Sequence, residues 1–124
     1  MPSYSFSKNR RLLKASEYQE VFDRNNLKVA HPKLLLLAKQ SDRGYSRLGL
    51  VVGKKNIPTA VGRNRLKRVV RETFRQTDFP QSLDIIFLAR KDAHKLSGAE
   101  LNLLLEQSWG RLRQRCQGLE TTNG

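Results

Sequence analysis

Residues 61–75 read VGRNRLKRVVRETFR, and this stretch limits the folds open to the chain. Stepped at about 100° per residue, Lys67, Arg68, Arg71 and Arg75 fall within roughly 60° of Asn64. Leu66, Val69, Val70 and Phe74 gather on the other side, and Arg63 and Arg65 flank the cationic strip near its start. A helix divided in this way has one face to bury and one that resists burial. It must lie on the outside of a core, with its charged strip in water or against an anion.

An ordinary solvated face mixes signs, because opposite charges four residues apart support a helix and like charges oppose it. Here Glu72 is the one acid in the stretch. Cations in a first helical turn also oppose the macrodipole. The strip therefore calls for an anion, and a helix start favours phosphate through its unpaired N–H groups. Lys54 and Lys55 lie just upstream in a basic loop, so residues 54–75 hold eight basic residues against one acid, net +7. The whole chain repeats the bias, with 24 basic and 11 acidic residues in 124, net +13. Charge of this size attracts polyanions, nucleic acid ahead of an anionic membrane.

The remaining pattern supplies the core that such a helix needs. Residues 1–13 are polar and basic and are expected to form a loosely held arm. Ser16 and Gln19 fit a capping box, opening a short helix to about residue 24 that presents Tyr18, Val21 and Phe22. Residues 27–40 read as extended, with Pro32 dividing a short strand from a second at 33–39. Ser41-Asp-Arg-Gly44 signals a turn. Residues 47–54 alternate, placing Gly49 and Gly53 on one strand face, where they permit close approach of a packed helix or a ligand. Thr59 is the expected N-cap of the basic helix, which Asp78-Phe-Pro80 ends. Residues 83–89, LDIIFLA, form a strand. Ser97 and Glu100 make another capping box, starting a helix to about residue 115 with Leu101, Leu104, Leu105, Trp109 and Leu112 in one stripe. Residues 117–124 are expected to fray. The order α-β-β-β-α-β-α, without repeats or a long linker, predicts one α+β domain over 1–124, a four-stranded sheet covered by helices.

Nothing in the sequence carries catalytic chemistry. His31 and His94 stand apart, without metal-ligand spacing to Cys116 or a carboxylate. There is no nucleophile elbow, no Walker glycine loop, and no acidic cluster of the kind that holds the Mg2+ pair of protein nucleases. With one cysteine, no signal peptide, and a longest apolar run of only 34–38, the chain is expected to be soluble and cytoplasmic, with no membrane partner and no small-molecule substrate. Tyr18 and Phe22, four residues apart, are either core or a platform on which unpaired bases stack.

The stretches AVGRNRLKRVVRETFR, LGLVVGKK and DIIFLARK together resemble the bacterial ribonuclease P protein family, and the likeness runs over about 11–112. The resemblance implies a small, ribosomal-protein-like α+β sandwich with a left-handed βαβ crossover, against the usual right-handed rule. It implies an endoribonuclease subunit, paired with a large catalytic RNA that removes the 5′ leader of precursor tRNA. The RNA and substrate would hold the catalytic Mg2+, with no catalytic residue or metal ligand in the protein. By the same resemblance, Arg63, Asn64, Arg65, Lys67, Arg68, Arg71 and Arg75, with Lys54 and Lys55, contact the catalytic RNA. Tyr18 and Phe22 match the aromatic positions of a cleft that receives the leader, and Leu37 stands where some members have a cleft tyrosine. The residues alone also suit a ribosomal-type RNA-binding protein or an RNA chaperone. A DNA-binding protein is a third reading, but it has no helix-turn-helix support.

Overall fold

In a computed structural model describing residues 10–122, the chain runs α1 (Ala15–Arg24), β1 (Leu27–His31), β2 (Leu34–Gln40), β3 (Arg47–Val51), α2 (Ala60–Arg75), β4 (Leu83–Ala89) and α3 (Gly98–Thr122), with a 3-10 turn at Ala93–Lys95. This is the single-domain α+β arrangement expected from the sequence. The four strands form one mixed sheet in the order β1-β2-β4-β3. β1 and β2 form a hairpin around Pro32 and Lys33, with His31 opposite Leu34. Proline there presets the turn φ, and the Lys33 N–H donates to His31 Nδ1 at 3.0 Å. β2 pairs antiparallel with β4, and β3 lies parallel to β4 on its other side. The last strand in sequence therefore sits inside the sheet. Its near-continuous apolar run suits burial on both faces, and six of its seven residues are buried.

Strand alternation sends two sets of side chains to opposite faces. Leu34, Leu36, Ala38, Leu48, Ile85 and Phe87 join Leu66, Val70 and Phe74 of α2 and Leu101, Leu105, Trp109 and Leu112 of α3 in the main core. Leu37 and Ile86 face the other way, in a smaller cluster with Val21 of α1 and Leu12. The main core is pinned where α2 meets α3. Trp109 Nε1 donates to Thr73 Oγ1 at 2.9 Å, and Phe74, Phe79 and Trp109 pack at centroid distances of 5.7–6.3 Å.

Element ends correct the sequence reading in three places. α1 starts at Ala15, not after Ser16. Its first-turn acceptor is Glu17, whose Oε1 takes the Leu13 and Lys14 N–H groups at 2.8 and 2.9 Å. A carboxylate there also suits the helix dipole, so Ser16 and Gln19 are not the box. α3 runs on to Thr122, past residue 115, because Cys116 is fully buried and extends the apolar stripe by one more turn. The described end of the expected arm, residues 10–13, is held rather than loose. Arg11 bridges to Leu48, the Leu12 N–H reaches Leu48 O at 3.1 Å, and Leu12 is buried. The rest of the arm, 1–9, and the tail positions 123–124 lie outside the described residues. Thr59 caps α2 as expected, accepting from the Gly62 N–H at 3.0 Å, and Ser97 and Glu100 cap α3 reciprocally.

Candidate nucleic-acid interface

α2 buries Leu66, Val70, Thr73 and Phe74 and turns its cations outward. Asn64 and Arg68 are exposed, while Lys67, Arg71 and Arg75 are half-buried. The side chains of Asn64, Lys67 and Arg68 have no hydrogen-bond or ion-pair partner among the described residues. The strip is not uniform. Lys67 and Arg71 lean towards β3 and residues 11–13, where they line a cavity of about 190 Å³ with Arg11, Leu12, Leu13, Tyr18, Leu48 and Leu50. Asn64, Arg65 and Arg68 surround the exposed Val61 on the other flank. One helix thus serves two surfaces.

The cavity brings guanidinium groups together without a carboxylate in its lining. Burial first, and then the Arg11 charge beside it, lower the Arg71 pKa from its ordinary value. Sequence reading does not single out Arg11, since it takes the arm as loose. The available signal is the apolar Leu12 within a basic run.

Lys54 and Lys55 are exposed on a loop that is itself fixed. Ile57 plugs the core with no exposure, and Asn56 Nδ2 donates to Ala89 O at 3.0 Å. Arg63 and Arg65 do more than flank the strip. Arg63 Nη1 donates to Ile57 O and Pro58 O at 2.9 and 3.0 Å. Arg65 Nη1 and Nη2 reach His94 O and Leu96 O, each at 3.2 Å.

The aromatic positions separate. Tyr18 lies on Gly49, and its hydroxyl accepts the Leu50 N–H at 3.3 Å. A Cβ on Gly49 would stand 2.7 Å from the Tyr18 ring. The strand glycine therefore admits a helix side chain, one of the two occupants expected for it. Phe22 is 40% exposed and free to stack. Leu37 is buried beneath α1 in the smaller cluster, so it shapes the floor and offers little surface.

Sequence reading missed the polar clamp beneath α1. Arg47 forms a two-pronged pair with Asp84 at 2.9 and 2.8 Å and also donates to Glu17 Oε2. The Asp84 pair heads the causes that raise the Arg47 pKa further. The Lys14 and Leu13 N–H groups and Arg47 hold the Glu17 carboxyl down at about 2. The available signal was Asp84 inside an otherwise apolar strand. No group of three or more His, Cys, Asp or Glu among the described residues could hold a metal ion. No helix is long and apolar enough to cross a membrane, among the residues described.

Known proteins resemble this chain in sequence and in fold. The Ribonuclease P family model matches residues 6–113. The ribonuclease P protein component of Marinomonas sp. (strain MWYL1) is 45% identical over 116 residues, covering 93% of this chain and 88% of its own. That of Photobacterium profundum is 42% identical over 120 residues, covering 95% and 100%. Among solved structures, the Staphylococcus aureus RNase P protein superposes with a TM-score of 0.75 at 26% identity, covering 84% of this chain and 97% of that one. The Thermotoga maritima RNase P protein gives 0.70 at 28%, covering 84% and 96%.

Proposed function

Because the chain belongs to the ribonuclease P protein family, and so to a complex that processes tRNA, we propose how it takes part. It docks on the catalytic RNA through the α2 strip from Arg63 to Arg75, with Lys54 and Lys55 extending the surface. The observation that carries this reading is the strong excess of cations, with Glu72 the one acid, on a face whose back is committed to the core. Asn64, Lys67 and Arg68 stand ready for phosphate or sugar, since no group of the described protein engages them. The 5′ leader of precursor tRNA lies beside α1, where Phe22 offers a ring for stacking. Leu37 supports the floor without a hydroxyl.

Cleavage in this reading is the work of the RNA subunit, with Mg2+ held mainly by RNA and substrate. The protein contributes charge neutralisation, which lets RNA and substrate approach and lowers the metal concentration needed to fold and bind them. Its seat is the cytoplasm, with the RNA and precursor tRNA as partners.

The test is cleavage of precursor tRNA with and without the protein across a Mg2+ titration. The protein alone should give no cleavage. With its catalytic RNA, it should shift half-maximal activity to lower Mg2+. An unchanged Mg2+ requirement would remove the proposed role.

A further inference from the structure

Arg65 flanks the cationic strip, yet its fork points into the protein. Both terminal nitrogens are engaged, one by His94 O and one by Leu96 O. Those carbonyls belong to the 3-10 turn Ala93–Lys95 and to the residue that joins it to α3. A planar guanidinium matches two acceptors at fixed spacing, which an ammonium does not. A cation at carbonyls that end a helical turn is also favoured by their dipoles.

A second observation on the same contact is independent of charge. Gly62 lies inside α2, where glycine is about 1 kcal/mol poorer than alanine. A Cβ there would meet His94 Cβ and Cδ2 at 3.3 Å and Thr59 Oγ1 at 2.8 Å. The helix thus carries a glycine where a side chain would crowd both its own Thr59 cap and His94 of the turn. The turn is tied in addition to the Lys54–Lys55 loop, since the Asp92 N–H reaches Asn56 O at 3.4 Å. Loop, helix start and turn therefore meet at one joint, and Lys91 and Lys95 stand exposed on the turn.

We infer that Arg65 is a positioning residue, whose fork clamps the 93–96 turn to α2 so that the lysines of the loop and turn share one rigid surface with Asn64 and Arg68. This rests on the reading above that the surface binds RNA. In this role Arg65 acts on RNA through its neighbours.

The experiment compares Arg65→Lys, Gly62→Ala and Arg68→Ala by amide hydrogen exchange of the free protein and by the salt dependence of binding to a transcript of the catalytic RNA. Arg65→Lys keeps the charge and loses the fork. It should speed exchange in 94–98 by about tenfold, the loss of a charge-assisted hydrogen bond. It should weaken RNA binding by a similar factor with an unchanged slope of log K against log salt. Gly62→Ala keeps every charge but presses on the Thr59 cap as well as on His94, and should speed exchange both in 94–98 and at the start of α2. Arg68→Ala should reduce the slope by about 0.9, one phosphate contact, with exchange in 94–98 unchanged. If Arg65→Lys binds RNA as the parent does, or exchange in 94–98 stays slow, the clamp is overturned. If Arg68→Ala leaves binding unchanged, the RNA reading of the face fails instead, while exchange in the free protein still decides the clamp.

Discussion

Gly49 and Phe22 show how single positions divide the labour around α1. Gly49→Ala would force a methyl to 2.7 Å from the Tyr18 ring, so the ring must lift off β3 and release the Leu50 N–H. The expected loss is about 1–3 kcal/mol of stability, as for overpacking elsewhere, measured by urea unfolding. A double variant with Tyr18→Ala should recover part of it, because the two sites share one contact. Phe22→Ala should change stability by less than about 1 kcal/mol, the range for surface substitutions. It should weaken binding of precursor tRNA more than of mature tRNA; equal losses for both would place Phe22 in the scaffold. At this scale the sequence was readable where a residue has few uses. A glycine on an alternating strand announces close approach. The pair Arg47–Asp84 was not readable, because 37 residues separate its members and nothing local tells a paired arginine from a solvated one.

Helices α1 and α2 are secured to the sheet by different physics, and pH should tell them apart. α2 is held by Leu66, Val70 and Phe74, which do not titrate. α1 packs Val21 into the smaller cluster but depends as well on Glu17, which both caps the helix and meets Arg47. The folded-state pKa of Glu17, about 2, lies below its ordinary 4.5, so the unfolded chain binds the proton more tightly. The contribution of Glu17 is therefore full above about pH 4.5 and is lost as pH falls through about 2. Glu17→Gln should lower stability at neutral pH by about 2 kcal/mol, the scale of a charged hydrogen bond. It should also flatten the acid limb of a stability–pH curve, and an unchanged limb would show that Glu17 carries no such linkage. Element identity came through from periodicity and caps, as Thr59 and Ser97 illustrate. Element ends came through less well: α3 continued because Cys116 found a place in the core, a fact that tertiary packing decides. For α1, an acid three residues into the helix outcompeted the serine read as its cap.

Across the whole molecule, charge and topology act on different quantities. If six of the basic residues between 54 and 75 met phosphates, affinity for RNA would fall on the order of a thousand-fold between 50 and 200 mM salt. A filter-binding series over that range would show it, and a shallow dependence would mean that fewer cations engage. Charge and the split helix made the kind of partner legible from the sequence. The spatial order of the strands was not, because periodicity reports faces and not neighbours. That order has a consequence for how the chain acquires its structure. β4 is the last strand to be synthesised, yet β2 and β3 reach each other only through it. Until residue 83 is available, the β1–β2 hairpin and the β3–α2 segment have no shared backbone ladder. A fragment ending at residue 82 should accordingly show no cooperative thermal transition by circular dichroism, whereas the full chain should show one. The molecule has no half that can be completed first, and its closing stitch is placed at the centre of the cloth.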